Sequence, residues 1–246
     1  MRLHLREYGE GAAVPAPAPA KPTPPLSGGS VEPTPLVCLH GVGDSGLEFR
    51  RLAERLPGRR LLAPDLRGHG ESEWEPPWRL EQHVEDVLET VGEAWGPCDW
   101  LGHSFGGRLC LEVANARPDL VRRLVLLDPV VRFPPSHALE LAELERTAPP
   151  HPFASPYPER VLLPYSKPAV VAAFGEMARP VELPRVPTLL VIAADGSVTG
   201  RNRRRDYAEA LGPLLEEVVV PGGHGVLWDA FEETTAAVSE ALLRPA

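Results

Sequence analysis

Short apolar runs alternate along the chain with longer segments of helical periodicity. Runs such as Leu36 to Leu39 and Thr188 to Ile192 predict buried strands, and the amphipathic segments between such runs predict helices. Strands that are apolar throughout and alternate with helices are typical of a parallel sheet covered on both faces. We therefore predict an α/β fold with a mostly parallel central sheet. The predicted strands are Leu3 to Tyr8, Leu36 to Leu39, Arg60 to Ala63, Cys98 to Leu101, Leu124 to Leu127, Thr188 to Ile192 and Glu217 to Val220, and the predicted helices are Gly46 to Leu56, Leu80 to Trp95, a helix opening at Gly107, Asn202 to Leu211 and Phe231 to Leu243.

Two proline-rich stretches interrupt this alternation. Residues 11–35 are mostly Pro, Ala, Gly and Ser, a composition that favours a flexible linker, so residues 1–35 are predicted to be an initial strand plus linker. Residues 36–246 then form the core. Within it, residues 131–187 carry only two predicted helices, Ala138 to Arg146 and Pro168 to Met177, and this stretch is predicted to be an inserted lid.

Composition excludes several classes of protein. A formal net charge of −9 over 246 residues provides no basic surface for nucleic acid, and no apolar run approaches the roughly 18 residues needed to span a membrane. The charged, leucine-containing start lacks the apolar core of a signal peptide. Cys38, Cys98 and Cys110 have neither disulfide nor metal-ligand spacing. We expect a cytoplasmic protein that acts on a small molecule without a metal or cofactor.

The motif Gly102-His103-Ser104-Phe105-Gly106 carries the strongest chemical signal in the chain. It stands between a predicted strand and a predicted helix, which is the context of a nucleophile elbow. In such an elbow the serine occupies a strained backbone conformation, and side chains at the flanking glycine positions would crowd the turn. Ser104 is therefore the predicted nucleophile.

A serine hydroxyl needs a base to accept its proton and a third group to orient that base. His224 follows the last predicted strand in a glycine-rich loop and is the predicted base. Asp195 follows the preceding strand and is the predicted orienting acid, so the chain order is Ser104, Asp195, His224, as expected with an elbow serine. Asp128 also follows a strand, and a carboxylate there could reach the same imidazole.

Backbone donors for a developing oxyanion are predicted from two segments. The residue after the nucleophile, Phe105, supplies one N–H, and Val42 in His40-Gly41-Val42-Gly43 supplies the other. The elbow and the His40-Gly41 pair resemble strand-end signatures of the α/β-hydrolase family. Two further segments do so as well, Asp65-Leu66-Arg67-Gly68-His69-Gly70-Glu71-Ser72 and Leu126-Leu127-Asp128-Pro129. The signatures follow the family's order, and the resemblance covers essentially Leu36 to Leu243. The resemblance implies the α/β-hydrolase fold and carries the site assignments over to Ser104, Asp195, His224, Val42 and Phe105.

The resemblance implies a serine hydrolase that cleaves a carboxylic ester through an acyl-enzyme. Thioester hydrolysis and carbon–carbon cleavage of diketones use the same residues, and a hydrolase-like binding protein with slow turnover is a further alternative. The serine at the elbow disfavours epoxide and halide chemistry, for which the family uses aspartate. His40, His69 and His103 are expected to order loops, as are Asp65 and Arg67. Pocket or packing roles remain open for Trp74, Trp78, Phe133, Phe153, Tyr157, Tyr165 and Phe174.

Overall fold

The alternating pattern produces a seven-stranded sheet in the order β1-β3-β2-β4-β5-β6-β7. The computed structural model describes residues 1–9, 34–91, 96–148, 157 and 159–244. The strands are β1 Leu5–Tyr8, β2 Leu36–Leu39, β3 Leu61–Pro64, β4 Cys98–His103, β5 Val121–Leu127, β6 Thr188–Ala193 and β7 Leu215–Val220. All neighbours pair in parallel except β1, which pairs antiparallel with β3 at the sheet edge. The predicted α/β class and mostly parallel sheet are confirmed.

Helices connect successive strands and cover the sheet. The α-helices are α1 Arg50–Glu54, α2 Leu80–Val91, α3 Phe105–Ala116, α4 Pro135–Thr147, α5 Lys167–Glu176, α6 Gly200–Leu211, α7 Val226–Asp229 and α8 Phe231–Leu243, with short 3₁₀ turns at Gly46–Phe49, Pro118–Leu120 and Gly212–Leu214. The predicted helix that runs to Trp95 is observed to Val91, and its remaining residues lie outside the described part of the chain. No helix among the described residues is long and apolar enough to cross a bilayer.

The strands are buried on both faces, which explains why they consist of apolar residues without alternation. Successive side chains of β2 point to opposite faces: Val37 and Leu39 join one apolar cluster with α2 and α3, whereas Leu36 and Cys38 join a second with α1 and α8. The central strands are therefore fixed from both sides. Their carboxyl ends form the rigid edge on which a site can be built.

Between β5 and β6, the region predicted as a lid contains α4 and α5. Tyr165, just before α5, donates its hydroxyl to Glu145 of α4 at 3.1 Å. At the base of the region the buried guanidinium of Arg108 in α3 donates to the carbonyls of Val131 and Arg179 at 2.8 and 3.1 Å. Both ends of the predicted lid region are thus hydrogen-bonded to α3, the helix that follows the elbow. The predicted linker, apart from residues 34 and 35, and Phe153 lie outside the described residues.

Candidate active site

The predicted elbow has the strained geometry that its sequence indicates. β4 ends at His103, α3 begins at Phe105, and Ser104 between them has φ 53° and ψ −114°, a region that residues with a side chain rarely adopt. A Cβ atom on Gly106 would lie 1.9 Å from the Leu39 carbonyl oxygen, and one on Gly102 would lie 2.4 Å from the Gly106 carbonyl carbon. Only glycine fits at either flanking position, as predicted.

The strand ends bring Ser104 and His224 together. Nε2 of His224 lies 2.9 Å from Oγ of Ser104, and its Nδ1 lies 2.7 Å from Oδ2 of Asp128. Because an ionised carboxylate only accepts, Nδ1–H donates to Asp128 and leaves Nε2 free to accept from the serine hydroxyl. This is the arrangement in which an imidazole can take the proton of an attacking serine.

The prediction of Asp195 as the orienting acid is wrong for this geometry. Its backbone N–H donates to the Gly222 carbonyl at 3.0 Å, which extends the pairing between the ends of β6 and β7. The Asp195 side chain is exposed and has no ion pair or hydrogen bond to a described residue. The carboxylate at His224 is that of Asp128, the alternative the sequence left open, which follows β5 directly.

The loop after β6 nevertheless serves the site, since it supplies hydrogen-bond donors to Asp128. The Val198 N–H donates to Oδ2 at 3.1 Å, and the hydroxyls of Ser197 and Thr199 donate to Oδ1. Asp128 is fully buried. Burial alone would raise the pKa of its carboxyl, but the hydrogen bonds from His224 and Ser197 outweigh it and hold the pKa below its ordinary value. Asp128 is therefore a carboxylate at neutral pH.

The pKa of His224 lies below its ordinary value. Burial is the largest cause, and the nearby His103 adds to it, together outweighing the stabilisation that Asp128 offers to the charged ring. The neutral ring, which can accept a proton, is therefore the resting form at neutral pH. The loop that carries the ring is itself fixed, because the Gly223 N–H donates to Asp229 at 2.8 Å.

The two predicted oxyanion donors belong to segments that adjoin Ser104: Phe105 follows it in the chain, and a Cβ on Gly41, next to Val42, would lie 3.3 Å from Ser104 Cβ. Phe105 is the first residue of α3, so its N–H has no partner within the helix and lies at the positive end of the helix dipole. The Val42 N–H forms no hydrogen bond with a described residue. The Val42 loop is fixed by its neighbour His40, whose Nδ1 donates to the Gly41 carbonyl at 2.7 Å while Nε2 accepts from the Leu66 N–H at 2.8 Å.

The other singled-out polar residues order loops, as expected. Asp65 accepts from the Gly46 N–H at 2.8 Å and the Glu71 N–H at 2.9 Å. Arg67 pairs with Asp86 on α2, with Nε 2.6 Å from Oδ2. His69 packs edge-on against His40 at 5.2 Å between ring centroids. His103 has a more specific environment, which the sequence did not indicate: its Nδ1 lies 2.6 Å from Oε1 of Glu48, a buried carboxylate.

Among the described residues, one group could hold a metal ion, but the guanidinium of Arg6 already binds its carboxylates. His4, Asp65 and Glu71 place ligand atoms within 4.8 Å of one another. Arg6 donates to Asp65 at 2.7 Å and to Glu71 at 2.8 Å. The guanidinium thus supplies the positive charge that these carboxylates require, at the sheet edge away from Ser104.

The aromatic residues considered as pocket lining divide between packing and the approach to the site. Phe133 is buried in the core, and Trp74 is exposed. The Tyr165 ring lies 3.2 Å from where a Cβ on Gly43 would stand, so it borders the loop that carries the Val42 N–H. Tyr157 stacks on Trp228 with 5.8 Å between centroids, next to the His224 loop. Tyr157 and Tyr165 therefore flank the site from the lid region.

Comparisons with known proteins bear on the family and the fold of the chain. A family model described as the alpha/beta hydrolase fold matches residues 34–154, which include β2 to β5, the elbow and Asp128. The chain belongs to the α/β-hydrolase family. This α/β hydrolase is 40% identical over 120 residues to Lipase LipV from Mycobacterium tuberculosis, covering 48% of its own chain and 45% of the relative. It is 39% identical over 110 residues to the sn-1-specific diacylglycerol lipase ABHD11 from Mus musculus, covering 42% and 35%. Each match spans less than half of the relative's length.

Solved structures resemble the α/β hydrolase over nearly its whole length. An enol-lactonase from Burkholderia xenovorans matches with a TM-score of 0.76 and 20% identity, covering 98% of this chain and 96% of that one. An esterase from Thermogutta terrifontis matches with a TM-score of 0.71 and 22% identity, covering 98% and 92%. At these identities the likeness establishes the fold alone.

Proposed function

We propose that the protein is a serine hydrolase that cleaves carboxylic esters through a Ser104–His224–Asp128 triad and an acyl-enzyme. The observation that carries the proposal is the continuous chain of contacts from Ser104 Oγ to His224 Nε2 at 2.9 Å and from His224 Nδ1 to Asp128 Oδ2 at 2.7 Å. The names of the lipase relatives support an ester as the substrate class.

In the proposed first step, Oγ of Ser104 attacks the carbonyl carbon while His224 Nε2 takes the hydroxyl proton. Asp128 holds the imidazole in the required tautomer and stabilises the imidazolium that forms. The carbonyl oxygen becomes an oxyanion, which the N–H groups of Val42 and Phe105 stabilise as donors that need no reorganisation. The imidazolium then gives its proton to the leaving alcohol as the carbon–oxygen bond breaks, leaving the acyl group on Ser104.

In the second step, His224 takes a proton from water, and the resulting hydroxide attacks the acyl carbonyl. The same two N–H groups stabilise the second oxyanion, and the imidazolium returns its proton to Oγ as the acid product leaves. The sequence of steps consumes one water and needs no cofactor. Thioesters and lactones follow the same route, since each presents a carbonyl carbon with a leaving group.

A fluorophosphonate probe tests the proposal, because it modifies a serine only when that serine is activated. We expect one adduct on Ser104 of the folded protein, located by peptide mass spectrometry, and none on heat-denatured protein or on Ser104→Ala. A panel of p-nitrophenyl esters, thioesters, lactones and diketones then assigns the substrate class. Absence of an adduct in folded protein contradicts the proposed nucleophile and favours the ligand-binding alternative.

A second outcome separates the ester assignment from the carbon–carbon alternative. A relative named 2-hydroxymuconate semialdehyde hydrolase from Pseudomonas putida is 42% identical over 90 residues, covering 34% of this chain and 31% of that protein. We therefore include diketones at matched concentration in the panel. We expect kcat/KM for the best ester to exceed that for any diketone, and the reverse order contradicts the ester assignment while retaining the triad.

A further inference from the structure

A second carboxylate–histidine pair lies beside the proposed triad, at Glu48 and His103. Glu48 is in the 3₁₀ turn after the oxyanion loop and is 2% exposed, and His103 ends β4 and is 6% exposed. Oε1 of Glu48 lies 2.6 Å from Nδ1 of His103. Removing two charged groups from water costs several kcal/mol per ion in real proteins, so packing alone does not favour an ion pair at this position.

The surroundings of His103 determine its protonation. Nδ1 faces the Glu48 carboxylate at 2.6 Å, and Nε2 faces the main-chain carbonyl oxygen of His224 at 3.0 Å. Both neighbours are acceptors, so both ring nitrogens carry hydrogen and the ring is an imidazolium. Burial would lower the pKa of His103, but the Glu48 charge outweighs it and raises the pKa to about 9. The same attraction lowers the pKa of Glu48 against the effect of burial.

The pair contacts three parts of the proposed machinery. His103 precedes the nucleophile in sequence, and its Nε2–H donates to the residue that carries the base. The His103 and His224 rings lie 4.9 Å apart between centroids, tilted by 35°. The second oxygen of Glu48, Oε2, accepts from the Gly41 N–H at 3.4 Å, directly before the proposed donor Val42. One ion pair thus joins the elbow, the base loop and the oxyanion loop.

We propose that Glu48 and His103 form a positioning pair: the imidazolium that Glu48 stabilises holds the main chain of His224 and keeps the neighbouring imidazole of His224 unprotonated. The inference rests on the proposed function, because it assigns the pair to the same reaction. Neither residue touches the reacting atoms, so both act through His224.

Electrostatics explains the second part of this role. A positive charge about 5 Å from a ring disfavours a second positive charge there, and the interaction is strong where water is excluded. Glu48 opposes this effect, but it contacts the other nitrogen of His103, and its influence on His224 is smaller than that of His103. The remaining charged and titratable groups that face the two rings or Glu48 are Asp128, Asp44, Arg160 and His40.

Glu48→Gln separates the charge from the contacts. The amide is of the same size and leaves His103 neutral, with Nε2–H still donating to His224, so the net charge of the pair is unchanged at zero. We expect the pKa of His224, followed by imidazole NMR, to rise by about half to one pH unit. The acidic limb of kcat/KM for an ester should shift upward equally, so that kcat/KM falls about three- to tenfold at a pH about one unit below the parent's acidic midpoint and stays within about twofold at pH 8.5.

Asp99→Asn is the matched control, because Asp99 is also a fully buried carboxylate on β4 that pairs with arginines, Arg59 at 2.8 Å among them. We expect Asp99→Asn to lower the free energy of unfolding without changing the pKa of His224 or the acidic limb of kcat/KM. An unchanged His224 pKa in folded Glu48→Gln overturns the proposal, whatever the enzyme hydrolyses. A shifted pKa in a protein without ester hydrolysis instead overturns the proposed function and retains the pair.

The unmodified protein gives a test that does not depend on a variant folding. We expect the ¹⁵N shifts of the His103 ring at pH 7 to report hydrogen on both nitrogens, assigned by comparison with His103→Gln. A neutral His103 ring at pH 7 overturns the proposal directly. Loss of the doubly protonated signal in Glu48→Gln, with the His224–Asp128 signal retained, supports it.

Discussion

Ser197 donates its hydroxyl to Asp128, so the loop after β6 supports a carboxylate at the end of β5. The two residues belong to neighbouring parallel strands, whose carboxyl ends meet at one edge of the sheet. The loop after β6 thus contributes a hydroxyl, from Ser197, and a backbone N–H, from Val198, and both donate hydrogen bonds to Asp128. These contacts distinguish Asp128, which lies against His224, from Asp195, which is exposed.

The first prediction separates Asp128 from Asp195. Asp128→Asn presents an amide that favours the wrong tautomer of His224, and we expect kcat for an ester to fall by about ten-thousandfold with the fold retained. Asp195 is exposed and forms no hydrogen bond with the imidazole, whose Nδ1 contacts Asp128, so Asp195→Asn should stay within about twofold of the parent. Steady-state kinetics with circular dichroism measures both. A larger loss in Asp195→Asn contradicts the assignment.

The second prediction concerns pH. The pKa of His224 is lowered, chiefly by burial, and the neutral ring is the form that accepts the serine proton. Activity is therefore present above that pKa and is lost as pH falls through it. We expect the acidic midpoint of kcat/KM below pH 6.5, the ordinary value for histidine. The midpoint should be the same for two esters of different reactivity, and a midpoint at pH 7 or above contradicts the prediction.

The third prediction tests the elbow glycines. A Cβ on Gly106 would meet the Leu39 carbonyl oxygen at 1.9 Å, and backbone cannot move aside as a flexible side chain can. We expect Gly106→Ala to lower the free energy of unfolding by about 3 kcal/mol or more. Gly175 in α5 has no atom within 4 Å of a built Cβ, and Gly175→Ala should raise stability by about 0.5–1 kcal/mol. The free energy of unfolding of both variants is measured in urea. Equal effects of the two substitutions would contradict the steric argument.

The fourth prediction concerns the proline-rich stretch. Tyr8 of β1 and Leu36 of β2 both pair with Leu61, on opposite sides of β3. Two strand spacings separate them, about 10 Å, and the four residues left between them after deletion of Gly11 to Pro33 provide five Cα–Cα steps, which can span about 16–18 Å. We expect the deleted protein to retain its fold and its ester activity within about twofold. Insoluble protein, or a tenfold loss of kcat/KM, would show that the stretch contributes to the core or the site.

Most of the fold was predictable because strands buried on both faces must be apolar throughout, and each β strand of the sheet lies at or within a few residues of its predicted run. The contact between Ser104 and His224 was predictable because the glycines around both residues have steric reasons that are visible in the sequence. The choice between Asp128 and Asp195 was not predictable. It depends on contacts between strand ends: Asp128 lies 2.7 Å from His224 and accepts from the Val198 N–H of the loop after β6, whereas the Asp195 side chain is exposed.

Glu48 and His103 were missed as a pair for a related reason. A glutamate in the first turn of a helix is ordinarily exposed, and nothing in the local pattern distinguishes one that is buried against another strand. The contact joins positions 55 residues apart along the chain through β2 and β4, which are neighbours in the sheet. Such a pair becomes visible only once the strand order is known.

The loop after the last strand supplies the proposed base, although the proposed nucleophile and acid lie near the middle of the chain. During synthesis the amino-terminal part emerges first, so the elbow and Asp128 leave the ribosome long before His224 does. A nascent chain therefore passes through a stage at which its serine is in place but has no proton acceptor. Reactivity at Ser104 therefore requires synthesis at least as far as His224, and a chain terminated before residue 224 should not react with a fluorophosphonate however well its earlier strands assemble.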